Sequence, residues 1–283
     1  MRFAAISVTV CALLCGCTDT NDQPAADESS RTSVVSYVCV GMETSGRFGS
    51  CPGCKLDSDR MNNLLGSTFG YSGVLLQSEK ATRDAVVGAL RDAVGRTPEN
   101  GLFIFYYSGH GGREFLNSTS TGEPEGADDA DEYLCLYDKP LVDDDVWRII
   151  SSCRGRVFLV FDCCHSQTMF RSVASDSLLE RGLAVPLERN IVKSSGFNLR
   201  PRAVALGEGE ELKMLCWSGC LEAEYSYGSS RGGVMTNAIM SKWKNGMTYS
   251  DLWGYVVHEV SKMHSTQHPS ATQYGGVFNE AFR

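Results

Sequence analysis

The stretch RVFLVFDCCHS (156–166) decides the fold of this 283-residue chain. Its segment VFLVF (157–161) is an uninterrupted apolar run, which is typical of a strand buried on both faces of a parallel sheet. A second such run, GLFIFYYSGHGG (101–112), ends in a glycine-rich turn. Reactive groups in parallel sheets collect in the loops beyond the carboxyl ends of the strands. If these two strands are neighbours, a histidine and two cysteines therefore face one crevice.

The rest of the chain alternates between apolar strands and amphipathic helices. The predicted strands cover 34–41, 73–77, 101–112, 156–166 and 213–220, with a short one at 133–138. The predicted helices cover 56–65, 81–94, 141–153, 232–243 and 248–263. This order predicts an α/β fold in which helices cover both faces of a mostly parallel central sheet.

Composition sets the class of protein. The hydrophobic content of 42% is ordinary for a globular domain and supplies ample material for a core. The net charge of -8 argues against nucleic acid as a partner and favours basic ligands. The chain has no clear oligomer signal, so we expect a monomer.

The first 17 residues have the form of a secretory signal peptide, with one early arginine before an apolar run. Their last four residues, LCGC (14–17), resemble the bacterial lipoprotein signal, in which the final cysteine carries lipid; the alternative is a plain cleaved signal. Residues 18–33 are polar and predict a disordered tether. We therefore expect an exported bacterial lipoprotein, anchored to a membrane on the periplasmic or cell-surface side, with one domain over 34–283.

The cysteine pair in FDCCHSQT (161–168) allows three interpretations: a metal site, packing residues or a nucleophile. A nucleophilic thiol needs a base, and His110 in the other reactive loop is a candidate. The N–H groups of Gly111 and of the nucleophilic cysteine are candidates to bind a developing oxyanion.

The motif YSGHG (107–111) followed by DCCHS (162–166) resembles the metacaspase branch of the caspase superfamily, peptidase family C14. Five further segments match that family in order: GCKLD (53–57), DEYLCLYD (131–138), DDDV (143–146), WSGC (217–220) and GGVMTNA (232–238). The resemblance implies a caspase-like three-layer α/β/α sandwich. It also divides the domain into a large-subunit region (34–170), a linker (171–212) and a small-subunit region (213–283).

The same resemblance assigns roles to residues. His110 is implied as the general base and acid, and Cys164 as the nucleophile. The pocket for the residue before the scissile bond is implied at Cys54, Asp57, Ser108 and Asp162. Such a pocket accepts arginine or lysine, because carboxylates suit a guanidinium or ammonium group. The chain is thus expected to be a cysteine endopeptidase whose substrates are proteins or peptides cut after Arg or Lys.

Family members are often activated by calcium, and the resemblance implies Asp131, Asp143 and Asp144 as ligands. The fourth family aspartate is replaced by Arg171, which weakens the expected site. The alternative is that the acidic run 143–145 only begins a helix, where the dipole favours carboxylates. A second departure is Gln167, where the family usually has glycine.

Two alternatives concern cysteines and basic residues elsewhere. The segment CPGC (51–54) is a C-x-x-C that fits a redox pair or half a zinc site, although a structural disulfide or a plain pocket cysteine fits better. If Cys51 and Cys54 pair, the pocket becomes redox-sensitive. The basic residues within 171–202 fit either self-cleavage sites or an ordinary surface loop.

The main alternative function is a catalytically silent caspase-fold lipoprotein that binds basic peptides. A redox protein that uses CPGC is a further alternative.

Overall fold

The computed structural model describes residues 34–45, 48–115, 130–163, 191–193, 212–221 and 224–274. The helices in these ranges are α1 (Cys54–Asn62), α2 (Arg83–Arg96), α3 (Asp143–Ile150), α4 (Val234–Lys242) and α5 (Tyr249–Met263). A π-helical segment, Asn63–Thr68, continues α1, and a 3₁₀ turn covers Ser78–Lys80.

The strands of the same ranges follow in chain order. They are β1 (Val35–Gly41), β2 (Thr44–Ser45), β3 (Gly49–Ser50), β4 (Ser72–Gln77), β5 (Leu102–Ser108), β6 (Gly111–Phe115), β7 (Ala130–Cys135), β8 (Pro140–Val142), β9 (Arg156–Asp162), β10 (Ile191–Lys193), β11 (Met214–Ser218), β12 (Ser226–Ser229), β13 (Gly232–Gly233) and β14 (Ser270–Tyr274).

The central sheet has six strands in the order β14-β11-β9-β5-β1-β4. Its strands run parallel to their neighbours except for β14, which is antiparallel to β11. The two apolar runs that predicted the fold, β5 and β9, are adjacent, with Ser108 opposite Asp162. The prediction of an α/β fold with a mostly parallel central sheet is therefore confirmed.

The central strands β1, β5, β9 and β11 are buried on both faces, which explains why they are mostly apolar. One face packs Phe105 and its alternate neighbours against apolar residues of α2 and α3. The opposite face packs Tyr106 and its alternate neighbours against α1, α4 and α5. The result is the helix–sheet–helix sandwich that the sequence predicts.

Threonines begin two of the helices. Thr82 Oγ1 accepts a hydrogen bond from the N–H of Ala85 at α2, and Thr248 Oγ1 accepts one from Asp251 at α5. Such caps satisfy backbone donors that the helix itself leaves unpaired. None of the helices within the described ranges is long and apolar enough to cross a bilayer.

The structure corrects the predicted ends of the two reactive strands. β5 ends at Ser108 and β9 at Asp162, so His110 and Cys163 lie beyond the strands. The glycine-rich segment after His110 is not a turn but β6, which pairs with β7 in a separate three-stranded sheet, β6-β7-β8. β6 and β7 carry charged residues and β8 has only three residues, so none of them has the long apolar run by which β5 and β9 were found.

Candidate active site

The carboxyl ends of β5 and β9 bring the predicted site residues to one edge of the sheet. Ser108 and Asp162 end the two strands opposite each other, and His110 and Cys163 follow within two residues. Gly111 begins β6, opposite Leu134 of β7. Cys164, Gln167 and Arg171 lie outside the described residues.

His110 is held by hydrogen bonds to its ring and to its backbone carbonyl. Its ring Nε2 lies 3.1 Å from the carbonyl oxygen of Ser50. Because a carbonyl oxygen only accepts, this hydrogen bond places the ring proton on Nε2 and leaves Nδ1 as the basic nitrogen. Nδ1 is buried. The backbone carbonyl of His110 accepts hydrogen bonds from Tyr107 Oη at 2.7 Å and from the N–H of Cys135 at 3.0 Å.

Cys163 belongs to the core. Its side chain has no exposed surface and lies in the cluster that contains Leu159 and Phe161. Cys163 is therefore a packing residue, which is one of the three interpretations that the sequence allowed for the cysteine pair.

Asp57 reaches the site from the first turn of α1. Its Oδ2 accepts a hydrogen bond from Ser108 Oγ at 2.8 Å. The N–H of Gly233 donates to both carboxylate oxygens, at 3.1 Å and 2.9 Å. Asp57 and Ser108 are fully buried, and these donors offset the large cost of removing a carboxylate from water.

Asp162 is the second buried carboxylate of the site, with no exposed surface. Its Oδ1 accepts from Ser226 Oγ at 3.0 Å. Its Oδ2 accepts from both the N–H and the Oγ1 of Thr236, at 3.0 Å and 2.5 Å. The structure thus brings three of the four predicted pocket residues, Asp57, Ser108 and Asp162, into one buried polar cluster.

The N-terminus of α4 binds both carboxylates. Gly233 is the N-cap residue of this helix and donates to Asp57, while Thr236 lies in its first turn and donates to Asp162. Backbone N–H groups at a helix N-terminus lack intrahelical partners and favour negative charge. A helix from the C-terminal part of the chain therefore anchors two aspartates from the N-terminal part.

Two constraints require glycine at position 232, which directly precedes the N-cap residue of α4. Its φ of +102° lies in the left-handed region, and a Cβ there would overlap Asp57 Oδ1. Only glycine lets the backbone approach the carboxylate this closely.

Cys54, the fourth predicted pocket residue, is joined to Cys51 in a disulfide. The two Cα atoms are 6.0 Å apart, and both side chains are fully buried. Cys54 is the first residue of α1, and Ser50, whose carbonyl orients His110, directly precedes Cys51. The disulfide therefore links the segment that contacts His110 to the helix that carries Asp57.

The predicted calcium ligands lie on neighbouring backbone segments. Asp143 and Asp144 begin α3 directly after β8, and β8 pairs with β7 so that Tyr133 faces Val142. The backbone of Asp131, two residues before Tyr133, lies at the same end of this pair, but its side chain is not described. Among the side chains that are described, His, Cys, Asp and Glu form no group of three that could hold a metal ion. Calcium binding stays a prediction.

Asp145, the third acidic residue of the run 143–145, forms ion pairs with two arginines. Asp145 pairs with Arg83 of α2 at 2.5 Å and with Arg148 at 2.7 Å. This ion pair joins α2 to α3, so at least one of the three carboxylates has a structural role.

Sequence reasoning missed the polar residues behind Asp162, which are Tyr106, Ser226, Thr236 and Gln267. Thr236 had a partial signal, since it follows a glycine pair at the start of a predicted helix. Tyr106 sits inside an apolar run, and Gln267 lies in a segment without a motif.

Comparison with known proteins identifies relatives of this chain. The chain is 23% identical over 281 residues to Metacaspase-1 of Cryptococcus neoformans var. neoformans serotype D, covering 83% of this chain and 60% of the relative. It is 30% identical over 145 residues to Metacaspase-1 of Meyerozyma guilliermondii, covering 46% of this chain and 34% of the relative. The chain thus spans about three fifths of the length of the first of these relatives.

Solved structures show the same fold. Protein GSU0716 from Geobacter sulfurreducens aligns with a TM-score of 0.63 at 20% identity, over 88% of this chain and 97% of that one. Caspase-1 from Spodoptera frugiperda aligns with a TM-score of 0.50 at 13% identity, over 85% and 86% of the two chains. The family model for the caspase domain matches residues 38–275. The chain therefore belongs to the caspase-domain family, peptidase family C14, as a metacaspase-like member of the caspase superfamily.

Proposed function

We propose that this protein is a cysteine endopeptidase that cleaves peptide bonds after arginine or lysine, with His110 and Cys164 as its catalytic pair. One observation carries the proposal: two buried carboxylates, Asp57 and Asp162, converge at the sheet edge from which the His110 loop emerges. Membership of a cysteine peptidase family supports the same conclusion.

The proposed reaction uses the ring orientation of His110. Nδ1 takes the proton of the Cys164 thiol, and the thiolate attacks the carbonyl carbon of the scissile bond. The N–H groups of Gly111 and Cys164 bind the oxyanion. His110 then protonates the leaving amine, which breaks the C–N bond and leaves a thioester. Water, deprotonated by His110, hydrolyses the thioester and restores the thiol.

The charge of the pocket determines the proposed specificity. A guanidinium or ammonium group near two carboxylates gains charge-assisted hydrogen bonds, whereas an acidic side chain there would be repelled. This reasoning favours arginine and lysine and disfavours aspartate before the scissile bond.

Fluorogenic peptides that end in arginine, lysine or aspartate test the proposal. We expect the reduced protein to release the fluorophore after arginine and lysine, and the Cys164→Ala variant to release none. The assay is run with and without calcium, because calcium is proposed as an activator through Asp131, Asp143 and Asp144. Cleavage only after aspartate would overturn the pocket argument.

The second candidate is a silent lipoprotein that binds basic peptides in the same pocket. Gln167, three residues after the proposed nucleophile, and Arg171, in place of a family aspartate, are the departures that favour it. Peptide binding by the wild-type protein without turnover under any of these conditions would select this candidate.

We also propose that the chain is exported and anchored through lipid on Cys17. Labelled palmitate is expected to enter the wild-type protein expressed in a bacterium and not its Cys17→Ala variant. Equal labelling of the two would contradict this anchor.

A further inference from the structure

A hydrogen-bond relay, formed by the hydroxyls of Tyr106 and Thr236, ends at the carboxylate of Asp162. The chemistry of the three groups determines which atom donates in each hydrogen bond. A carboxylate oxygen only accepts, so the hydroxyl of Thr236, 2.5 Å from Oδ2, must donate to it. That hydroxyl has one proton, so the Tyr106 hydroxyl, 2.7 Å away, must donate to Thr236. Burial, followed by the charges of Asp57 and Asp162, raises the pKa of Tyr106 well above its ordinary value, so this outer hydroxyl keeps its proton.

A second relay reaches the other oxygen of the same carboxylate. Ser226 Oγ donates to Oδ1 at 3.0 Å, and Gln267 Nε2 donates to Ser226 Oγ at 3.1 Å. The Gln267 amide is itself held at both ends, since Nε2 also donates to the Gly219 carbonyl at 2.7 Å and Oε1 accepts from the N–H of Tyr227 at 3.0 Å.

All four relay residues are buried, and they come from separate parts of the fold. The exposed fraction is 0% for each of them: Tyr106, Thr236, Ser226 and Gln267. Tyr106 is in β5, Thr236 in α4 and Ser226 in β12, whereas Asp162 ends β9. The relays therefore hold the two oxygens of Asp162 from opposite ends, and they prevent the carboxylate from turning about its Cβ–Cγ bond.

We propose that Thr236, with Tyr106 behind it, is a positioning residue that sets the preference of the pocket for a cationic side chain by holding Asp162 in one orientation. The inference rests on the proposed function, because it assigns Asp162 to the binding of the arginine or lysine before the scissile bond. Thr236 acts through Asp162 and does not contact the substrate.

The first test compares charged and neutral substrates. Thr236→Val removes the hydroxyl but keeps the backbone N–H and the shape of the side chain. We expect kcat/KM for an arginine-ended peptide to fall about tenfold, mainly through KM, because a hydrogen bond to a charged group is lost. The matching citrulline-ended peptide, which is neutral and of similar shape, is expected to keep its kcat/KM. Thr236→Ser is expected to restore the value for arginine.

A matched control separates positioning from loss of packing. Thr97 is another buried threonine, whose Oγ1 donates to the Ala93 carbonyl at the end of α2. Thr97→Val therefore removes a comparable hydroxyl away from the pocket and is expected to leave the arginine-to-citrulline ratio unchanged. An equal fall for both substrates in Thr236→Val, or no fall for either, would overturn the inference.

A binding experiment keeps the inference separate from catalysis. In a Cys164→Ala background, the binding of benzamidine, a cationic mimic of arginine, is measured by calorimetry with and without Thr236→Val. We expect binding to weaken about tenfold in the double variant. Such weakening supports the inference even if the wild-type protein cleaves nothing, whereas cleavage after arginine with unchanged binding refutes the inference and leaves the proposed function standing.

A second variant is available if Thr236→Val does not fold. Tyr106→Phe removes only the outer hydroxyl of the relay, and we expect a smaller loss of about threefold for arginine with no loss for citrulline. The absence of any difference between the two substrates in Tyr106→Phe would count against the relay.

Discussion

At the scale of single residues, we propose different tasks for two adjacent cysteines. Cys163 is fully buried beside Leu159 and Phe161, so it contributes apolar contact to the core. Cys164 is the proposed nucleophile and pairs in function with His110, whose Nε2 is engaged by the Ser50 carbonyl.

Replacement of each cysteine by alanine separates these tasks. We expect Cys164→Ala to lower kcat/KM by about 10³-fold or more, since loss of a nucleophile removes the covalent pathway. Cys163→Ala is expected to keep kcat/KM within about twofold and to lower the free energy of unfolding by about 1 kcal/mol, because it removes buried contact. Peptide kinetics and urea unfolding measure the two effects. Equal loss of activity in both variants would contradict the assignment.

The reactivity of the other thiols follows from their pKa values. Burial raises the pKa of Cys39, Cys153 and Cys220, and the charges of Glu224 and Asp162 raise that of Cys220 further. Since the thiolate is the reactive form, these three stay protonated near neutral pH. We expect brief treatment with iodoacetamide at pH about 7 to label Cys164 first, as measured by peptide mass spectrometry. Labelling of Cys220 at the same rate would contradict this.

At the scale of elements, α1 links the segment that contacts His110 to the buried polar cluster of Asp57. Its first residue is bonded to Cys51, and its first turn presents Asp57 to Ser108 and Gly233. Gly53, between the two cysteines, has φ +93°, and a Cβ there would overlap the Ser229 carbonyl of β12. The disulfide loop therefore packs tightly against the segment that precedes α4.

Reduction of this disulfide is expected to weaken the pocket. Once Cys51 and Cys54 separate, the first turn of α1 gains freedom, and we expect KM for an arginine-ended peptide to rise about fivefold, equivalent to loss of about one hydrogen bond. The control is the double variant Cys51→Ser, Cys54→Ser, whose KM is expected not to depend on the reductant. Mass spectrometry of the untreated protein that finds both thiols free would contradict the pairing.

At the scale of the whole molecule, the central sheet joins the parts of the chain on either side of residues 164–211. β9 and β11 pair over five residue positions, from Val157 with Met214 to Phe161 with Ser218. The hydrogen bonds from α4 to Asp57 and Asp162 also join these two parts of the chain. The two parts thus share one sheet and one polar cluster.

A single cut within 171–202 is therefore expected to leave the two fragments associated. Limited digestion with trypsin, followed by size-exclusion chromatography, is expected to give one peak at the mass of the intact protein, with two bands after denaturation. The reason is that strand pairing and burial across β9 and β11 do not require the intervening covalent link. Elution of the two fragments as separate peaks in native buffer would contradict this.

The sequence predicted those strands of the central sheet that consist mostly of apolar residues. The apolar runs of β5 and β9 predicted two buried strands but left open whether they were neighbours, and the structure shows that they pair. Shorter elements were missed: β14 pairs antiparallel with β11, yet its five residues, SATQY, carry no apolar run. The predicted strand ends were also wrong: the strand expected over 156–166 ends at Asp162, which is fully buried although it is polar. The change from apolar to polar residues therefore did not separate the buried strand from the loop.

The sequence by itself determined the fold class, the two reactive loops and the family resemblance, because apolar patterning and short motifs are local properties of a chain. Only the tertiary structure decided how the two aspartates of the candidate pocket are held. Asp162 and Thr236 are separated by 74 positions, and Asp57 and Gly233 by 176. A buried carboxylate takes its donors from whichever segments the fold brings within 3 Å or so, and no local pattern records that choice.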